Sequence, residues 1–267
     1  MKKIFAVLAA TLICGASVFT SCNKDKEDNN QTLAEQLVGK WIYIEADGQR
    51  VETAESSVTT FALEGSTLKA YTSISLQDYG LWAHNQPTEV TIDGDKVTLT
   101  MHQGDLTTVE EMTDITVSGD ELRYTSHYTF LRGGEVILEE PIYRLCCVKV
   151  HDDYSQIIVG RCEGTVTSDE PGFEPVPFCV EYLADGTLNA YQFMDGQWQA
   201  VATDFAEYFV DGTLLCTRWQ YPGSTEQRLN VICLSFENGT LVTQQTAERN
   251  GHLYTYTYTS TVTQVNG

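Results

Sequence analysis

From residue 32 onward the chain is written twice. Leu37-Val38-Gly39-Lys40 returns as Ile158-Val159-Gly160-Arg161, 121 positions later. Leu68-Lys69-Ala70-Tyr71 returns as Leu188-Asn189-Ala190-Tyr191, shifted by 120, and Asp93-Gly94 returns as Asp211-Gly212, shifted by 118. Three matches in one order and at nearly constant spacing predict two tandem copies of one fold, residues 32–150 and 151–267.

Each copy is written in strands. In the first, 41–44, 58–63, 68–74, 89–92, 96–101, 107–116, 121–131 and 136–150 are rich in Thr, Val, Ile and Tyr, and most alternate apolar with polar residues. Asp47-Gly48, Asp93-Gly94, Gly119-Asp120 and Gly133-Gly134 fall at the joints, where tight hairpins need residues that accept positive φ. The second copy does the same with Asp185-Gly186, Asp195-Gly196, Asp211-Gly212, Asn238-Gly239 and Asn250-Gly251. About eight strands per copy joined this way predict an all-β chain of two tandem eight-stranded antiparallel up-and-down barrels, with a sandwich as the alternative. Helix is scarce: Thr32 and Glu35 fit a capping box, giving one short turn from Thr32 to Val38.

The N-terminus places the chain. Lys2 and Lys3 precede the apolar run Ile4–Val18, which ends in Phe19-Thr20-Ser21-Cys22, so residues 1–21 read as a secretory signal peptide. A cysteine just past such a cleavage point resembles the lipobox of bacterial lipoproteins, which implies lipidation at Cys22 and a membrane partner reached through that anchor. Residues 22–31 hold no apolar side chain between Asn23 and Gln31 and are expected to be a disordered tether. Lys26-Glu27-Asp28 resembles the acidic export signal of surface lipoproteins in Bacteroidetes. The expected location is therefore the outer membrane, with display at the cell surface as its extension. The full chain carries a net charge of −21, and loses two more cations with its leader, so its surface repels phosphate backbones and nucleic acid is not an expected partner.

Leu37-Val38-Gly39-Lys40-Trp41, a helical lead before a first strand, resembles the Gly-x-Trp opening of lipocalins. With the anchor and the tether, the chain is similar to the lipocalin-like lipoproteins of Bacteroidetes. The resemblance implies a barrel floor made by Gly39 and Trp41, with an Arg from the last strand stacked on the indole, a role that falls to Arg144. The second copy departs from it, since Cys162 replaces the Trp and Leu253–Val265 contains no Arg.

Six cysteines lie beyond Cys22, and Cys216 and Cys233 stand on strands one hairpin apart, where a disulfide is plausible; burial as small apolar residues is the other reading. Neither Cys-x-x-Cys nor paired His occurs, so no metal site and no cofactor are expected. The five histidines are dispersed, and Glu110-Glu111 and Glu139-Glu140 alternate across a strand instead of sharing a face. No catalytic residues are identified and an enzyme is not expected. Tyr254, Tyr256 and Tyr258 share one strand face, either filling the barrel or forming an outer platform. Trp82, in a loop-like stretch, together with Trp198 and Trp219, are the candidate ligand or partner contacts. The expected function is a lipid-anchored binding protein that holds a small apolar or amphipathic ligand in a barrel cup. The alternative is a surface scaffold with filled barrels that binds glycan or protein through aromatic loops.

Overall fold

A computed structural model describes residues 31–225 and 227–263, without the side chains of 229–233 and 237. The expected signal peptide, Cys22 and all of the expected tether but Gln31 lie outside the described residues. The first half contributes β1 (Gly39–Ala46), β2 (Gln49–Arg50), β3 (Ser57–Glu64), β4 (Thr67–Leu76), β5 (Leu81–Asp93), β6 (Lys96–Gln103), β7 (Leu106–Ser118), β8 (Glu121–Arg132), β9 (Glu135–Glu139) and β10 (Tyr143–Lys149). The second contributes β11 (Gly160–Ser168), β12 (Val176–Tyr182), β13 (Leu188–Met194), β14 (Gln197–Ala200), β15 (Phe205–Asp211), β16 (Leu214–Gln220), β17 (Gln227–Glu237), β18 (Thr240–Arg249) and β19 (His252–Thr263). Helix α1 (Leu33–Leu37) precedes them, closed at its start by the expected capping box between Thr32 and Glu35.

The repeat lands on equivalent places. Gly39 and Gly160 open β1 and β11 with φ of 143° and 133°, which glycine adopts without strain. The Leu-x-Ala-Tyr segments start β4 and β13, and the two Asp-Gly pairs turn β5 into β6 and β15 into β16.

The first half closes. β1, β3, β4, β5, β6, β7, β8 and β10 pair in that order, and β10 returns to β1, giving an eight-stranded antiparallel barrel with no free edge. The run expected over 136–150 is two strands, because Pro141 offers no N–H to a ladder and separates β9 from β10.

The second half does not form the closed barrel that the repeat predicts. It is a nine-stranded open sheet, β14-β13-β12-β11-β19-β18-β17-β16-β15. Asp195 and Gly196 both have positive φ, the signature of a tight two-residue hairpin turn, and fold β14 back on β13. That returning strand pairs with Tyr191–Met194, and β15 reaches the turn just before β13 through a bridge between Thr187 and Glu207. Aromatic side chains pack inside this sheet: Tyr182 against Tyr208, Phe178 against Tyr258 and Phe173 against Tyr256, with centroids 4.9, 5.2 and 5.6 Å apart.

The two halves share a core. Ile42, Val58, Phe209, Leu214 and Cys216 are buried together between them. Asp211, at the end of β15, is nearly buried there and accepts from the Lys40 ammonium and the Ser73 hydroxyl of the first half. A second tie is reciprocal: the Thr246 hydroxyl accepts from the Thr53 N–H at 2.9 Å and donates to the Val51 carbonyl at 3.3 Å. The Thr53 hydroxyl accepts from the Thr246 N–H at 3.1 Å and donates to the Thr246 carbonyl at 3.3 Å. All four bonds are buried, where an unmade one is most costly.

Candidate functional site

The closed barrel is hollow, and its inward residues explain why. At the floor, Leu37, Trp41, Phe61, Leu99, Met112 and Leu122 fill the interior. Nearer the rim, Ile74, Met101, Leu106 and Phe130 form a second apolar group. Between them the inward positions are small and polar: Thr59, Thr72, Thr88, Thr108 and Ser126. Side chains this short cannot meet across an eight-stranded barrel, and a cavity of about 650 Å³ remains. That lies in the usual range of roughly 300–1,000 Å³ for small-molecule pockets.

Glu110 stands in this polar belt. Strand alternation turns Glu110 inward and Glu111 outward, where Glu111 pairs with Lys96. Ser126 Oγ donates to Glu110 Oε1 at 2.8 Å, and the Tyr124 hydroxyl lies beside the same carboxyl. Glu110 keeps some accessible surface toward the cavity, but protein surrounds it on the wall side. Desolvation therefore pushes its carboxyl above the ordinary value, partly offset by Ser126 and Tyr124. Tyr124 and Tyr128 are pushed up too, by burial first, then by Cys147 and Glu110 at Tyr124 and by Glu110 at Tyr128. The Cys147 thiol is raised by burial and by Glu110, which keeps it protonated and unreactive at neutral pH.

This has a consequence for stability. The folded protein holds the Glu110 proton more tightly than the unfolded chain, whose ordinary value is about 4.5. Its contribution is intact below that pH and is lost as pH rises through the raised folded-state value. Glu110→Gln keeps a group for Ser126 and removes the charge. The variant is expected to match wild type in acid and to gain on it as pH rises toward 8, read by urea unfolding at a series of pH values. The same difference at every pH contradicts this.

The segment over the cavity comes from the loop between β1 and β3, where Glu52, Ala54 and Glu55 line the mouth. The Thr53–Thr246 bonds fix this segment, so the second half holds the mouth of the first. Burial first, and then Glu52, Glu140 and Glu248, raise the Glu55 carboxyl.

The floor follows the expected plan with one correction. Trp41 is 1% exposed and its indole N–H donates to the Leu37 carbonyl at 2.8 Å, which seats α1 on the barrel end. The cation on the indole is Lys149, 5.2 Å from the ring centroid, and not Arg144, which is exposed. The ladder decides this, because Trp41 pairs with Lys149 and Arg144 lies at the other end of β10. Gly39 belongs to the same contact: a Cβ there would come within 2.7 Å of Lys149 Cε. In the second half, Cys162 Sγ lies 3.8 Å from the Ile158 carbonyl, the same relation with a smaller side chain, and burial pushes that thiol up to about 12.

The three candidate tryptophans are dispersed. Trp82 is not in a loop: Gly80, at φ 62°, completes a short turn and β5 begins at Leu81. Its ring packs edge-on to Phe209 at 4.7 Å under the Arg218 guanidinium, between the halves. Trp219 packs against the core of the second half. Trp198, on β14, meets Phe193, which is 49% exposed, at 5.1 Å. Cys216 pairs across the ladder with Val231 and Cys233 with Leu214, which makes the two cysteines diagonal neighbours; the Cys233 side chain lies outside the described set. Among the described residues no group of three or more His, Cys, Asp or Glu is placed to hold a metal.

Glu110 was visible in sequence only as one member of an alternating pair; nothing in β7 alone marks which face borders a cavity. Comparison with protein-family models gives no match, and comparison with curated proteins gives none either.

Proposed function

We propose that the protein binds a small apolar or amphipathic molecule inside its closed barrel, with the second half as the scaffold that fixes the mouth. The observation that carries this is the 650 Å³ cavity with its apolar floor, polar belt and single deep carboxyl. The signal peptide, Cys22 and the Gly39–Trp41 floor support reading it as a lipid-anchored envelope protein of lipocalin-like type. On that reading the second half is a barrel of the same plan left ajar, its interior given over to tyrosine and phenylalanine. Trp82 and Trp219 are committed to internal packing. Of the three candidate tryptophans only Trp198, beside Phe193, remains as a foothold for the adhesion alternative, so ligand binding is the better-supported role.

Titration with the neutral apolar dye Nile red tests it. Wild type is expected to enhance the dye's fluorescence and to saturate at one dye per chain. Thr59→Trp, which places an indole in the belt, is expected to abolish most of that signal while unfolding as cooperatively as wild type. Equal dye binding by both proteins contradicts the proposal.

A further inference from the structure

We propose that the natural ligand carries a cationic nitrogen, an amine on an apolar body, and that this nitrogen seats against the Glu110 carboxylate. The inference rests on the reading of the closed barrel as a ligand cup and adds the chemistry of the head group.

Charge is the first argument. Glu52, Glu55, Asp78, Glu110 and Glu140 line the cavity, and among the described lining residues there is no Lys, Arg or His. A carboxylate or phosphate entering would lose its hydration and meet charges of its own sign with no partner to offset the loss. Lys149, at the floor, lies over the Trp41 ring and does not line the cavity. The four acids other than Glu110 sit at the mouth segments and attract a cation inward.

Depth is the second. The inward positions of β7 run Leu106, Thr108, Glu110, Met112 from rim to floor. At about 3.3 Å per residue, Glu110 lies about 13 Å along the strand from Leu106, and about 10 Å deeper once the tilt of barrel strands is allowed for. A carboxyl at that depth is costly to ionise alone, and an entering ammonium group supplies the partner that makes the charged form favourable. The walls add a third argument. Tyr43, Tyr124, Tyr128 and Tyr143 line the same space, and a cation over an aromatic face is attracted to it. The apolar body then rests on Phe61, Leu99, Met112 and Leu122 or extends toward the rim.

Displacement of Nile red by decylamine, decanol and decanoate at near-neutral pH and physiological salt tests the inference. The three share one tail and differ only in head group. Wild type is expected to prefer decylamine to decanol about tenfold or more, the scale of a charge-assisted hydrogen bond, with decanoate weakest. Glu110→Gln is expected to bring decylamine and decanol within about threefold of each other while still binding the dye. The second variant, Glu140→Gln, removes an acid at the mouth and is expected to keep most of the preference, which separates the deep site from general surface attraction. Decanol or decanoate displacing as well as decylamine, or an undiminished preference in Glu110→Gln, overturns the amine assignment and leaves the cup intact. Failure of the dye itself to bind wild type overturns the cup.

Discussion

Trp41→Ala is expected to cost about 3–5 kcal/mol of folding stability, the range seen when a large aromatic is removed from a packed interior. Three losses coincide at this position. The indole is 1% exposed and touches the apolar floor, so its removal opens a void that α1 and the neighbouring strands fill only in part. Its N–H bond to the Leu37 carbonyl disappears, and with it the tie that seats α1 on the barrel end. Lys149 loses the ring over which its ammonium lies. Trp41→Phe keeps most of the volume and loses the hydrogen bond, and should cost closer to about 1 kcal/mol. Urea unfolding of both variants checks this. A loss below about 1 kcal/mol for the alanine variant would show that the floor is not built around this ring.

The second large effect is expected at the junction of the halves. Lys40→Met keeps the aliphatic stem and removes the cation from Asp211, leaving a nearly buried carboxylate that keeps the Ser73 hydroxyl but loses its counter-charge. Breaking a fully buried pair typically costs about 3–5 kcal/mol; because 27% of the Lys40 side chain is exposed, about 2–4 kcal/mol is expected here. Lys40→Met combined with Asp211→Leu should recover much of that loss, since the penalty comes from the stranded charge and not from the absence of the pair. Strictly additive losses in the double variant would show that the two side chains are not coupled.

Much of the architecture was legible because β-structure writes itself at period two and hairpins write themselves in Gly, Asn and Asp. The repeat was legible for the same reason, and its matching segments fall on matching strands. Closure was not. Asp195-Gly196 reads as one more joint, and only the three-dimensional register shows that β14 and β15 end the sheet unpaired with each other. The cation on Trp41 was expected from the last strand and came from it, but at Lys149. Arg144 is five residues away along β10, about 17 Å in an extended chain, and a stacking partner has to sit across the ladder from the ring. Trp82 read as loop because Tyr79-Gly80 is a turn; the turn ends at Gly80, and the ring is then carried by a strand into the junction. Glu110 was half legible. Alternation separates it from Glu111, while the face that holds the cavity depends on how eight strands close.

The measurement that bears most directly on the hollow barrel is native mass spectrometry of the protein, released gently from the cells that make it. A ligand cup predicts a reproducible excess mass, one molecule per chain, beyond the acyl groups expected at Cys22. That mass should vanish on denaturation and be missing from Thr59→Trp. A mass accounted for by the chain and any acyl groups at Cys22, with no excess in either wild type or variant, would contradict the ligand cup.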